Sequence, residues 1–191
     1  MGSSSHQKLL RNPSLLLKSI SWNINEASTI IYCDACPSGM GFWYPKTNEG
    51  FISPTPSDVS PQLIFYFEAL CVLSALYNTH QWSWSEHIVI YTDNLNTVNI
   101  FNSFRTLPSY NHLLKAAVNI LTSGDHELRV LHILGTENQV ADALSRLNIN
   151  QALTSIPNLK IIPFQPWTWM LRLMINKEVK PPVLAFGTEQ V

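Results

Sequence analysis

The chain has 191 residues, 46% of them hydrophobic and only 13% charged, with a formal net charge of −1. That composition excludes a disordered tail and gives one domain with a real core plus extra segments. It also lacks the basic surplus that free nucleic-acid binders usually carry.

Apolar stretches break within about ten residues, short of the ~20 that a membrane-spanning helix needs, so no membrane association is expected. The opening MGSSSHQKLLRNP has no apolar core of the secretion-signal kind. Cys33, Cys36 and Cys71 are too few, and odd in number, for a disulfide framework. They argue for an intracellular setting, cytoplasm or nucleus. Cys33 and Cys36 form a C-x-x-C, but a zinc ribbon needs a second pair and Asp34 stands between them. Two small residues at a strand end is the simpler account, with a metal or redox pair as the alternative.

In chain order, residues 1–27 show little periodicity and are taken as an N-terminal extension. STIIYCDA, from Ser28, is a short β-rich run. The turn-rich CPSGMG leads to the apolar FWYP, and EGFIS at 49–53 follows; together these predict an antiparallel meander. After the loop PTPSDVSP, Pro61 suits a first helical turn, and Ile64, Phe67, Cys71, Leu73 and Leu76 keep a helical period to about Thr79. HIVIYTD at 87–93 reads as a strand buried on both faces. NLNTVNIFNSF and SYNHLLKAAVNILTSG read as helices split at Leu107-Pro108, the second stopped by Gly124. ELRVLHI is the fifth strand and ENQVADALSRL the last helix of a core over 28–147. The alternation predicts an α/β fold, a five-stranded mixed sheet with helices on both faces. Residues 148–191, with five prolines and the apolar run WTWMLRLMI, have no clear place in it and read as an appendage or linker with room for one packed helix.

Four acids sit in apolar company. Asp34 follows IIYC, and Asp93 follows IVIYT. Glu68 shares an inward stripe with Ile64, Cys71 and Ala75, and Asp142 lies between two alanines. Each has an ordinary structural role open to it. Asp93 can cap the helix at Asn94, Asp34 can start the turn before Pro37-Ser38-Gly39, and Glu68 and Asp142 can pair with Lys or Arg. Together they point elsewhere. Converging carboxylates repel unless a divalent cation neutralises them, and hard oxygen ligands favour Mg²⁺ or Mn²⁺. Two such ions about 3.5–4 Å apart suit phosphodiester cleavage.

The order of these acids resembles the ribonuclease H signature. YCDACPSGMGFW resembles the first-strand motif of retroelement ribonuclease H domains, FYFEAL the helix supplying the glutamate, and IYTDNLNTV the fourth-strand motif. LHILGTENQVADALSRL is the most specific piece and resembles the final strand and helix in retrotransposon reverse transcriptases. The likeness is to fungal elements of the tyrosine-recombinase type and, more loosely, to gypsy-type elements. It implies a ribonuclease H-like fold and hydrolysis of RNA in RNA/DNA hybrids. Asp34, Glu68, Asp93 and Asp142 would hold two Mg²⁺ ions, with Mn²⁺ able to substitute, and a reverse transcriptase domain would adjoin in the same polyprotein. His132 is the candidate helper in product release. Ser38, Gly39, Asn94, Asn96 and Asn138 are candidate contacts to the hybrid, whose 2′-hydroxyls line a wide minor groove. The sequence departs from the family at Cys36, where a residue such as Ser is usual, and in SFRTLPSYNH, where a basic grip shrinks to Arg105. Two other readings are a catalytically silent module domesticated from a retroelement and a different enzyme of the same fold. Retention of all four acids opposes the first, and the VADALSR helix opposes the second.

Overall fold

The structure, a computed structural model, describes residues 22–55, 63–84 and 86–166. The apolar run at 167–175 and Pro61 lie outside them. After a 3₁₀ turn at Ile24–Glu26 come β1 (Thr29–Cys36), β2 (Gly39–Tyr44) and β3 (Glu49–Pro54), the expected antiparallel meander. Then follow α1 (Ile64–His80), β4 (His87–Thr92), α2 (Leu95–Ser103), α3 (Asn111–Gly124), β5 (Glu127–His132), α4 (Gln139–Ser145), α5 (Ile149–Ser155) and β6 (Lys160–Pro163). The sheet order is β5-β4-β1-β2-β3-β6, with β4 parallel to both β1 and β5.

The sheet has six strands where five were expected. Lys160–Pro163 pairs parallel to β3, and Lys160 Nζ reaches Glu49 Oε1 at 3.3 Å. A four-residue strand ending in proline carries too little β signal to stand out, and proline is tolerated there because β6 is an edge. The chain between, α5, packs Ala152 against α4, so residues 149–163 add one helix and one strand to the sheet.

Strand alternation assigns the two faces. Ile31, Cys33, Ala35, Phe42, Tyr44 and Phe51 join the main core under α1, α2 and α3. On the opposite face Trp43 and Ile52 meet Val140, Ala143, Leu144, Ala152 and Leu159. Helix α1 is buried all round from Tyr66 to Leu76, because the sheet takes one side and α3 the other. Helix α4 lies close on the sheet because Gly39 and Gly41 carry no side chain. A Cβ at Gly41 would come within 2.5 Å of Leu144 Cβ and Ser145 N, and one at Gly39 within 2.8 Å of Ser145 O.

Candidate metal centre

Parallel pairing of β1 and β4 puts Tyr32 opposite Tyr91. Continuing that register brings Asp34 level with Asp93, which follows the last residue of β4. Glu68, in the second turn of α1, reaches them from the main-core side. One carboxylate oxygen from each of the three lies within 4.8 Å of the others. Asp34 and Glu68 are buried, while Asp93 is exposed, so the cluster opens to solvent at the C-terminal ends of the two strands. That edge is where parallel α/β sheets place their sites.

The electrostatics are those of crowded carboxylates, a cluster that attracts cations. Burial pushes the Glu68 carboxyl up to about 9, and Asp34 and Asp93 add to the rise against an opposing amide hydrogen bond from Ala35. Its Oε2 is buried with no hydrogen-bond partner among the described residues. Burial also pushes Asp34 up to about 6; a hydrogen bond from the Ser145 hydroxyl opposes this, and Asp93 and Asp142 reinforce it. An orphaned buried oxygen beside two more carboxylates, all hard donors, fits a divalent cation of the Mg²⁺ or Mn²⁺ kind.

Asp142 stands at the first turn of α4 and is not in the three-acid group. Its Oδ1 accepts from Arg146 Nε at 2.8 Å, although its charge is felt at Asp34. His132 ends β5 opposite Thr92 and is exposed, on the same sheet edge as Asp93. Gly135 also lines this edge, where a Cβ would sit 3.1 Å from Asp93 Oδ2. Asn94 caps α2 by accepting from Thr97 N at 3.0 Å, and Asn96 is exposed one residue into the helix. Ser38 is exposed in the β1–β2 turn, while Gly39 is buried beneath α4. Asn138 is 2% exposed and donates from Nδ2 to Cys33 O at 2.9 Å, tying α4 to β1.

Sequence reasoning missed Ser145 and Arg146. The available signal for Ser145 is a polar residue on a helix otherwise built of Val140, Ala141, Ala143 and Leu144. The three cysteines are free and buried, and burial holds the Cys33 thiol well above the usual thiol range, as expected of space-filling residues.

No family model matches the chain, and no curated protein matches it in sequence. Among solved structures it is similar to LC11-RNase H1 in complex with an RNA/DNA hybrid, with a TM-score of 0.51 and 17% identity over 66% of this chain and 99% of that one. The fold is ribonuclease H-like. Weaker likenesses extend to RNase H1 from the halophilic archaeon Halobacterium salinarum NRC-1 (TM-score 0.47, 16% identity, 66% of this chain and 98% of that one). They also reach a foamy viral protease-reverse transcriptase bound to an RNA/DNA hybrid (TM-score 0.48, 16% identity, 71% of this chain and 21% of that one). Within this ribonuclease H-like fold Asp34 sits on β1, Glu68 on α1 and Asp93 just after β4. No helix among the described residues is long and apolar enough to cross a membrane.

Proposed function

We propose that this chain is an endoribonuclease that hydrolyses the RNA strand of RNA/DNA hybrids with two divalent cations, in the service of retroelement reverse transcription. The observation that carries the proposal is the meeting of Asp34, Glu68 and Asp93 within 4.8 Å at the open end of β1 and β4. The hybrid-bound ribonuclease H of the same fold supports the substrate.

Asp34, Glu68, Asp93 and Asp142 hold the ions in this scheme. Bound there, Mg²⁺ or Mn²⁺ supplies Lewis-acid polarisation of the scissile phosphate and neutralises developing charge. Glu68 gives up its proton as the site fills, since burial and its two neighbours keep it protonated at neutral pH otherwise. Asp93, the exposed member, faces the incoming phosphate. Asp142 joins by leaving Arg146; their pair is exposed and spans one helical turn, so it is worth only about 0.3–0.5 kcal/mol. Ser38 and Asn96 are the exposed members of the proposed hybrid-contact set, with Gly39, Asn94 and Asn138 contributing through the backbone they shape. His132 assists departure of the product from the same edge. A reverse transcriptase domain in the same polyprotein supplies the grip that few basic residues here provide, by raising effective concentration.

The test is a labelled RNA/DNA hybrid incubated with Mg²⁺ or Mn²⁺, alongside Asp34→Asn. Cation-dependent cutting of the RNA strand to 5′-phosphate ends, absent in the variant, is expected. Failure to cut with either cation, or equal cutting by Asp34→Asn, would overturn the proposal.

A further inference from the structure

We infer that Ser145 is a positioning residue for the acidic centre, its hydroxyl fixing the carboxylate plane of Asp34. This deepens the function proposed above and rests on it.

Residue 145 is wholly buried at the last turn of α4, and its Oγ hydrogen-bonds Asp34 Oδ2. The same oxygen lies 2.9 Å from Asp142 O, the carbonyl three residues back. A hydroxyl has a single proton to donate, and a carboxylate is the stronger acceptor. A buried helical serine with only a structural part would satisfy itself on its own helix. Here that acceptor is at hand, yet the side chain bridges to the sheet.

The surroundings are built for this reach. Asp34 pairs across β1 and β2 with Gly41, which has no side chain to stand between Asp34 and α4. The Cβ that any other residue would place there collides with Leu144 and Ser145. Two further contacts hold the helix to β1 on either side of Asp34. Asn138 Nδ2 donates to Cys33 O at 2.9 Å, and Cys36 Sγ donates to Ser145 O at 3.2 Å. Residues 33, 34 and 36 are thus each tied to α4, but only the Ser145 hydroxyl acts on a carboxylate. With Oδ2 anchored, rotation about the Cβ–Cγ bond is lost and the second oxygen has a set direction. Partners behind a first ligand commonly tune cation affinity by 10- to 100-fold.

The experiment compares the full chain with Ser145→Ala and Cys36→Ala. Mn²⁺ binding is measured by calorimetry, and thermal melting is recorded in chelator. Ser145→Ala is expected to bind Mn²⁺ at least about tenfold more weakly while melting no lower than Cys36→Ala. Cys36→Ala, which loosens the same helix without touching Asp34, is expected to bind Mn²⁺ within about threefold of the parent. A smaller loss in Ser145→Ala, or an equal loss in Cys36→Ala, overturns the inference and leaves the function proposed above standing. A parent chain that binds no Mn²⁺ overturns that function, and the positioning of Asp34 falls with it.

Discussion

Arg146 donates from Nε to Asp142 Oδ1 across 2.8 Å, one helical turn apart on α4. The Arg146 side chain is 60% exposed, so the pair adds little to stability, yet it keeps a positive charge close to Asp34. Replacing Arg146 with Ala should therefore cost no more than about 0.5 kcal/mol in urea unfolding. Cation binding should strengthen severalfold, because Asp142 is released and a repelling charge is gone. Weaker Mn²⁺ binding by Arg146→Ala would show that Asp142 needs its partner to stay in place.

Glu68 sets the pH response of the cation-free protein. Its folded value of about 9 lies above the ordinary 4.5. Its contribution is then fully present below pH 4.5 and is lost as the pH rises towards 9. Glu68→Gln keeps the shape and removes the ionisation. The variant should be more stable than the parent by at least about 1 kcal/mol at pH 9 and no different at pH 4.5. Adding Mg²⁺ should reverse the order at pH 9. Chemical denaturation at the two pH values decides it, and a variant less stable at both would mean that the ionised form is held by a structural partner.

Cation affinity should itself climb with pH. A cation entering the site displaces the Glu68 proton, so the apparent association constant should rise about tenfold per pH unit between about 6 and 9. Below about 6 Asp34 also takes up a proton and the slope should steepen. Calorimetry in buffers of different ionisation enthalpy reads the released proton directly. An affinity flat between pH 6 and 8 would count against Glu68 as a ligand.

A buried histidine, His126, lies at the other end of β4. Glu86 N donates to His126 Nδ1 at 3.3 Å, which leaves the proton on His126 Nε2 to face His80 Nδ1 at 3.2 Å. His80 Nε2 in turn faces Ser123 Oγ at 3.4 Å. Accepting from Glu86 N requires the His126 ring to be neutral. Burial first and His80 second lower the His126 value, while the charges of Glu86 and Asp125 oppose them. A base with a depressed folded value contributes stability above its unfolded value, near 6.5, and loses it as the pH falls. His80→Ala should cost about 1 kcal/mol at pH 7.5 and less at pH 5. Using the Glu68→Gln background removes the opposite trend of the carboxylate. An equal cost at both pH values would show that His126 is not held neutral in the fold.

Hybrid affinity should be low for the chain alone. Of its 12 Lys and Arg, six fall in the described residues: Lys46, Arg105, Lys115, Arg129, Arg146 and Lys160. These are spread over the fold, with Lys160 engaged to Glu49 and Arg129 stacked 4.9 Å from the Trp22 ring. Few phosphate contacts mean little counterion release, so affinity should be micromolar or weaker with a shallow salt slope. Fusion to a polymerase domain should improve cutting. A steep slope and tight binding by the chain alone would refute this.

Much of the centre was legible because the environment of each acid is written locally. Asp34 and Asp93 follow the apolar runs IIYC and IVIYT, and Glu68 interrupts an apolar helix, so the placement of the first two near strand ends and of Glu68 on a buried helix follows from pattern alone. The antiparallel meander and the alternation of strands and helices were equally local. Strand β6 was not, since KIIP owes its strand state to the free edge of β3 and not to its own propensity. Nor was the bond from Ser145 to Asp34, residues 111 apart, which exists because Gly39 and Gly41 let α4 rest on the sheet backbone. The pairing of Asp142 with Arg146 was decided last of all. Asp142 Oδ1 accepts from Arg146 Nε one helical turn on, while the docking of α4 against β1 brings its negative charge to bear on Asp34.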